Sequence, residues 1–283
     1  MIRLLYTSFF LVSLLANTSF GQSNFIFNPE SNHFLLNKGQ TLPSAYEIEK
    51  TQINLRYQNK TGIFSDLRDI YFDALVKTKQ AHTLGLKVYS EQETFLFSKS
   101  KILAIYAYNL KLAEEVEWKS GIQAGVANVY FGSTDASAGG SSWNGDAAIS
   151  TTLCYRKWKL ALGLQQLPAS NITPINYEFQ LKRYLEAYLS KKIALGPDFE
   201  WQVGARTISK IDTAIVMLDN KLMIKESFGF ICMLNSTKLF SAGIFVDIPQ
   251  DENKLRLTFN YAFSFSSART NQSLYSIGIS YFR

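Results

Sequence analysis

The sequence lacks a helical membrane span. Beyond residue 21, no apolar run approaches the roughly 20 residues that a transmembrane helix requires. Long blocks of charge of one sign are also missing, because the 29 basic and 23 acidic residues, which give a formal net charge of +6, are spread along the chain. Helical spans are therefore excluded, and the mild basic excess suits contact with anionic lipid head groups or an acidic protein surface.

Residues that catalyse reactions or bind metals are scarce as well. The two cysteines, Cys154 and Cys232, and the two histidines, His33 and His82, have no neighbour at a metal-ligand spacing. Both cysteines fall in predicted strands, where small apolar packing is the expected role, and one disulfide between them stays open. The glycine-rich segment 139–142 lacks the lysine of a phosphate-binding loop. We expect a non-enzymatic protein without metal or cofactor.

The N-terminus predicts export. Arg3 precedes an apolar run at 4–16 that is too short for a membrane anchor, and the small-residue pattern Ser19-Phe20-Gly21 follows it. Residues 1–21 are therefore interpreted as a signal peptide. No cysteine follows closely, which excludes a lipoprotein anchor, and an exported chain is not expected to bind nucleic acid.

Alternation of apolar and polar residues is abundant. In LRLTFNYAFSF at 255–265, Leu257, Phe259 and Tyr261 share one face of an extended chain, while Thr258 and Asn260 share the other. Fourteen segments of this kind are predicted as strands: 51–58, 69–76, 81–89, 101–112, 116–131, 146–155, 158–167, 181–193, 199–208, 211–218, 221–232, 237–248, 255–265 and 272–282. Segments of about ten residues in an even number are typical of a closed transmembrane β-barrel.

The predicted connections differ in length in a regular way. Those after even-numbered strands are short, at 77–80, 113–115, 156–157, 194–198, 219–220 and 249–254, whereas several odd-numbered ones are longer, at 59–68, 90–100, 132–145 and 168–180. Bacterial outer-membrane barrels have short periplasmic turns and longer external loops. The alternation in loop length therefore favours a membrane barrel over a soluble one.

The composition of the two faces predicts which one meets lipid. The polar faces carry small or neutral residues such as Thr258, Ser276 and Gly278 rather than the Lys and Glu of a solvated sheet. Aromatic residues also lie near strand ends, as interfacial girdles require, although packing in the core of a soluble β-sandwich is the alternative. With the apolar face outward, five charged residues become lumen candidates, most simply as an ion-pair network: Asp146, Glu186, Glu200, Arg206 and Arg256.

Six sequence elements follow one another along the chain: Phe27-Asn28-Pro29 with the following segment 32–39, His82 to Leu86, Tyr106 to Leu112, Gly121 to Val126, Leu162 to Leu164 and the C-terminal strand. In their order and spacing these elements resemble the PorP/SprF family of outer-membrane proteins associated with type IX secretion and, in some members, gliding motility. Two elements depart from the family pattern: Asn32-His33 replaces a second Asn-Pro, and Arg56-Tyr57-Gln58 lacks the family's tryptophan. The chain is similar to a divergent member.

This resemblance implies a multi-pass barrel in the outer membrane of a Gram-negative cell, with both termini in the periplasm. Residues 51–283 would form the barrel. The pattern of residues 22–50 is less regular and includes Pro29 and Pro43, which predicts a segment that plugs the barrel or covers its periplasmic end, with a disordered tail as the alternative. The implied function is docking, with outer-membrane lipid around the barrel and with type IX secretion or gliding-machinery proteins, or the C-terminal domains of secreted clients, as partners. A diffusion porin or small-solute transporter is the alternative, and a soluble secreted sandwich is a third hypothesis.

Overall fold

The structure is a computed structural model that describes residues 42–61, 67–78, 81–94, 96–133, 138–169, 171–172, 179–180, 183–209, 214–225, 227–236, 239–264 and 273–283. The interpretation of residues 1–21 as a signal peptide and the motif at 27–39 lie outside these residues. Within the described ranges, no helix is long and apolar enough to cross a membrane.

Fourteen antiparallel strands form a closed barrel, which confirms the predicted fold class. The barrel strands are β1 (Thr51–Thr61), β2 (Leu67–Lys77), β3 (His82–Thr94), β4 (Phe97–Ala113), β5 (Val116–Phe131), β6 (Gly140–Tyr155), β7 (Trp158–Gln165), β10 (Tyr184–Ala194), β11 (Phe199–Ser209), β12 (Ala214–Ile224), β13 (Phe228–Asn235), β14 (Leu239–Gln250), β15 (Asn253–Ser264) and β16 (Ser273–Phe282). Between β7 and β10, β8 (Asn171–Ile172) and β9 (Phe179–Gln180) pair as a separate two-stranded sheet.

The first and last barrel strands pair with each other, with Ile53 opposite Tyr281 and Tyr57 opposite Ile277. Closure leaves no unpaired sheet edge, which a barrel in lipid requires because hydrocarbon offers no hydrogen bonds to the backbone. The first residue of β1, Thr51, and the last residue of β16, Phe282, lie at the end of the barrel that carries the tight turns 114–115, 156–157 and 251–252. We call this the short-turn end, and the opposite end the long-loop end.

Two predicted connections are wrong. Asp219-Asn220 is not a turn, because β12 continues through it to Ile224 and turns near Lys225, which has a positive φ of 48°. The Asp-Asn pair has turn chemistry, but apolar alternation on both sides of it keeps the chain extended. The long loop predicted at 90–100 is absent too, since β3 continues to Thr94 and β4 already begins at Phe97.

The apolar face of each strand points outward. On the outside of β15, Leu257 is 41% exposed and Phe259 is 47% exposed. The alternate residues Thr258 and Asn260 point inward and are 6% and 2% exposed. The alternation repeats around the wall, for example at Leu160 and Leu162 outside and Ala161 inside. The outer surface is therefore a continuous apolar belt, and the protein's packed core is the barrel interior.

Aromatic residues on the outer face lie close to the barrel ends. Trp118, Tyr155 and Trp158 are outward near the short-turn end, where Arg156 stacks on the Tyr155 ring and Lys191 lies 4.7 Å from the centre of the Trp158 ring. Amphipathic rings beside cations suit the boundary between hydrocarbon and lipid head groups.

Candidate functional site: a strap inside the barrel lumen

Residues 42–50, which we call the strap, enter the barrel from the short-turn end. The strap is joined to the wall at Lys50, whose N–H donates to the Arg283 carbonyl (2.8 Å) and whose carbonyl accepts from the Lys77 N–H (2.7 Å). From there it runs inward without forming a strand, and Leu42, Ser44 and Ala45 are at most 1% exposed. The strap thus occupies the lumen behind its short-turn mouth.

Two glycines on the inner wall make room for the strap. A Cβ at Gly121 would lie 2.5 Å from the Ser44 nitrogen, and a Cβ at Gly163 would lie 2.4 Å from Leu42 Cδ2. Leu42 packs with Ala161 and Tyr188 in a small buried cluster. Because any larger side chain at either glycine would collide with the strap, β5 and β7 are shaped to hold it.

Hydrogen bonds fix the strap at this seat. The Ser44 N–H donates to Ser150 Oγ (2.8 Å), and the Ser44 hydroxyl lies 2.8 Å from the Thr152 hydroxyl. Both wall residues belong to the inward face of β6. Nearer the mouth, Lys159 donates to the Ala45 carbonyl. The polar groups of Ser44 and the Ala45 carbonyl are therefore matched to specific side chains of the wall.

One strap carboxylate binds two wall lysines. Glu47 lies 2.9 Å from the Lys159 ammonium through Oε1 and 3.4 Å from the Lys192 ammonium through Oε2. The charge of Lys159, reinforced by Lys192, holds the pKa of the Glu47 carboxyl well below its ordinary value. Lys159 is buried, whereas Lys192 and Glu47 are half-exposed at the mouth.

The opposite side of the strap rests on an apolar patch. Tyr46 and Ile48 pack with Leu75 of β2 and Ile105 of β4. Lys87 lies 5.6 Å from the centre of the Tyr46 ring. The strap therefore contacts walls on both sides of the lumen and crosses it.

A layer of polar side chains lies beyond the strap toward the long-loop end. Lys87 donates to Gln123 (3.3 Å), Gln123 to Gln165 (3.1 Å) and Gln165 to Glu186 (3.3 Å). Glu186 also pairs with Arg206, 3.4 Å away. These bonds link β3, β5, β7, β10 and β11, which are adjacent or next-but-one strands, into a hydrogen-bonded network along one half of the inner wall.

The five lumen candidates all lie on inward faces but in different settings. Asp146 pairs with Lys101, and Glu186 pairs with Arg206 in the polar layer. Arg256 forms a two-pronged pair with Asp247 at 2.5 and 2.7 Å, away from the other four. Glu200 is half-buried near the short-turn end, where its charge acts on Lys192. Four of the five thus belong to three ion pairs, with Glu186 and Arg206 in the same pair, and Glu200 lies outside these pairs.

Sequence reasoning missed the strap seat. Glu47, Lys159 and Lys192 were not among the candidates, and the two lysines are 112 and 145 residues from Glu47 in the chain. The small residues Gly121 and Gly163 on the inward face were the available signal, since they leave space that something must fill.

The strap divides the short-turn mouth into two open clefts that share Glu47. One, of about 370 Å³, lies between the strap and the β14–β15 turn with the C-terminal Arg283. The other, of about 450 Å³, is bordered by the β4–β5 and β6–β7 turns and by Lys159, Lys192 and Trp158. Among the described residues no group of acidic, His and Cys side chains could hold a metal ion, and Cys154 and Cys232 are free thiols on opposite faces of the wall.

A family model described as "Type IX secretion system membrane protein PorP/SprF" matches residues 28–281. A search of curated proteins found no significant match.

Several solved barrels are similar in structure. The Pseudomonas putida toluene transporter TodX has a TM-score of 0.54 and 8% identity, covering 92% of this chain and 94% of that chain. The Acinetobacter baumannii outer membrane protein Omp33 has a TM-score of 0.51 and 6% identity, covering 83% and 99%. The monoaromatic hydrocarbon channel CymD has a TM-score of 0.51 and 9% identity, covering 83% and 88%. Identities this low support a shared barrel fold alone.

Proposed function

The chain belongs to the PorP/SprF family of type IX secretion system membrane proteins, and from this membership we propose that it is a non-enzymatic docking barrel of that system whose strapped lumen does not conduct solutes. Its partners are periplasmic secretion or gliding-machinery proteins, or the C-terminal domains of secreted clients. The observation that carries the proposal is the strap, seated between walls on both sides of the lumen.

We place the short-turn end and both termini in the periplasm. Outer-membrane barrels as a class keep their tight turns on that side and their long loops outside. In this orientation the strap and the two mouth clefts face the periplasm. A periplasmic partner would therefore meet the charged turns 114–115 and 156–157 and the strap before it met any other part of the lumen.

The diffusion-porin alternative requires a continuous wet path through the barrel. Two features count against that path. The strap fills the space beside Gly121 and Gly163, and the polar side chains from Lys87 to Arg206 project into the lumen beyond it, where they bond to one another. The structural similarity to hydrocarbon channels supports the barrel fold, but it does not support transport of hydrocarbons by this chain.

Conductance is the direct test of closure. The purified chain in planar bilayers is expected to give no solute-sized channels, whereas a variant with residues 42–48 replaced by a Gly-Ser sequence of the same length should conduct more. Stable large channels from the unaltered chain would overturn the closed-barrel proposal and favour the porin.

Docking is tested by site-specific photo-cross-linking in native outer membranes. A photoreactive residue at Lys157, in the β6–β7 turn, should capture proteins that mass spectrometry identifies as type IX secretion or gliding components. The same residue at Leu189, which is exposed on the lipid face of β10, is the matched control and should capture none of them. Equal capture at the two positions, or none of these proteins at Lys157, would contradict the assignment.

A further inference from the structure

Glu47 is the one carboxylate that forms an ion pair with Lys159 among the described residues. Lys159 lies on the inward face of β7 with 8% of its side chain exposed, and its recorded hydrogen bonds go to Glu47 and to the Ala45 carbonyl. A buried ammonium needs an anionic partner, because desolvation strongly disfavours an unpaired charge. For Lys159 this anionic partner comes from the strap and not from the barrel wall.

The strap is joined less firmly than the wall it contacts. Residues 42–48 form no strand, and the backbone bonds that join the segment to the barrel are at Lys50. Because the Glu47 side chain is half-exposed, its carboxylate can leave the two lysines by rotation of that side chain, without moving the seated residues 42–45 or breaking any rung of the sheet. The lysines would remain, because Lys159 and Lys192 belong to paired strands, β7 and β10.

The lysine pair is also accessible from outside the barrel. Side chains of Lys192 and Glu47 are 43% and 47% exposed, and both border the 450 Å³ cleft at the short-turn end. Ser190 and Gln202 border the same cleft and offer hydrogen-bonding groups beside the cations. This is the composition that binds an extended peptide carrying a carboxylate.

We propose that Lys159 and Lys192 form a receptor for a carboxylate of an acidic peptide segment of a periplasmic partner, and that Glu47 is a built-in competitor that occupies this receptor in the free barrel. The inference rests on the proposed docking function and names its site. Binding would exchange one carboxylate for another at the same two ammonium groups, so the buried charge of Lys159 is paired in both states. The partner must therefore present Glu, Asp or a chain-terminal carboxylate at the mouth.

The test uses the full mature chain in nanodiscs and a fluorescein-labelled Glu-Gly repeat peptide, with the Gln-Gly repeat as the uncharged probe. Glu47→Gln keeps the shape of the strap and removes the competing charge, so it should bind the Glu-Gly peptide up to about fivefold more tightly by fluorescence anisotropy. Glu49→Gln makes the same change of net charge two residues along the strap, at a site without a recorded ion pair, and should leave the affinity near that of the unaltered chain.

Combining Glu47→Gln with Lys192→Gln should abolish the gain, and the Gln-Gly peptide should bind weakly to every variant. If the Glu47→Gln and Glu49→Gln variants bind the Glu-Gly peptide with equal affinity, the change in affinity comes from net charge alone, and the inference is overturned. Tight peptide binding that survives Lys192→Gln would overturn it as well. If the peptide fails while Lys157 still cross-links to secretion components, this inference falls and the docking function stands; loss of the cross-links refutes the docking function itself.

Discussion

The outer and inner faces of the barrel wall are built from the same strands and meet opposite demands. On the outside, Leu257 and Phe259 face hydrocarbon, which accepts any apolar shape and rejects charge. On the inside, each position meets a particular partner, as Asp247 meets Arg256 and Gly163 meets Leu42. A side chain on the outer face therefore needs only to be hydrophobic, whereas a side chain on the inner face needs a suitable charge partner or a suitable volume.

The largest expected effect is the loss of an inner-face charge partner. Asp247→Leu leaves Arg256 without the carboxylate that accepts from its Nε at 2.5 Å and from Nη2 at 2.7 Å, both with little exposure. Breaking such a pair from one side should lower the free energy of unfolding by about 3–5 kcal/mol. Reversible urea unfolding in lipid vesicles measures it.

Its control replaces both partners. Asp247→Leu with Arg256→Met removes both buried charges and should cost much less than the single change, since the other partner of Asp247, Lys254, has 41% of its side chain exposed and stays hydrated. If the double variant is as unstable as the single one, the wall at this position does not depend on charge pairing, and the contrast between the faces weakens.

The next effect compares the two faces directly at adjacent residues of β15. Leu257→Arg places a charge on the lipid face, between the outward residues Val246 and Ile279 in the register, and should cost about 2–4 kcal/mol. Thr258→Arg should be milder, because it faces the polar lumen near Asn260, whose amide oxygen has no hydrogen-bond partner in the described part of the chain. Equal losses in the same unfolding measurement would contradict the assignment of faces.

The strand number and the faces were predictable because both depend on local alternation. Side chains two residues apart share a face, so a window such as 255–264 contains the information needed to assign Leu257 outward and Thr258 inward. The same locality misled the prediction at Asp219-Asn220, where two turn-forming residues suggested a break that apolar neighbours on either side prevent.

The strap seat could not be predicted because its contacts are distant in sequence. Ser44 meets Ser150 and Thr152 more than a hundred positions away, and the lumen candidates found their faces by alternation but not their partners. Which acid meets which base depends on the stagger of strands around the barrel, which no single strand encodes. The sequence predicts residues 22–50 as a periplasmic or plug segment, but the wall residues that the strap meets were signalled only by the space that Gly121 and Gly163 leave.

A volume change at the strap seat is expected to have an intermediate effect. Gly163→Leu should displace Leu42 and cost about 1–3 kcal/mol, because its Cβ alone would lie 2.4 Å from Leu42 Cδ2. The specific readout is the reactivity of a thiol introduced as Ser44→Cys in a background with Cys154 and Cys232 replaced by Ser. Maleimide labelling should become faster when the strap leaves its seat.

The outer face supplies the control for this change. Gly145 lies on the outward side of β6, where a Cβ would meet no atom within 4 Å, so Gly145→Leu should leave both stability and Ser44→Cys labelling nearly unchanged. Faster labelling with both variants would mean that the strap responds to general loosening of the barrel rather than to its glycine seat.

The smallest effect concerns the charge that holds the strap at the mouth. The pKa of Glu47 is lowered in the folded chain by Lys159 and Lys192, so its contribution to stability is complete above its ordinary pKa of 4.5 and is lost only as pH falls through the lower folded value. After incubation at each pH, a cross-linker that does not react with thiols traps the strap in its seated or released position, and labelling of Ser44→Cys is then measured at pH 7. We expect this labelling to stay constant for incubations from pH 7 to about pH 5.

Glu47→Gln should raise the labelling at every pH by a small factor, since a half-exposed ion pair contributes about 0.2–1 kcal/mol. Its charge-matched control, Glu49→Gln, should not. A strap that opens between pH 7 and 5 in the unaltered chain would show that a titratable group other than Glu47 controls the seat at the short-turn mouth.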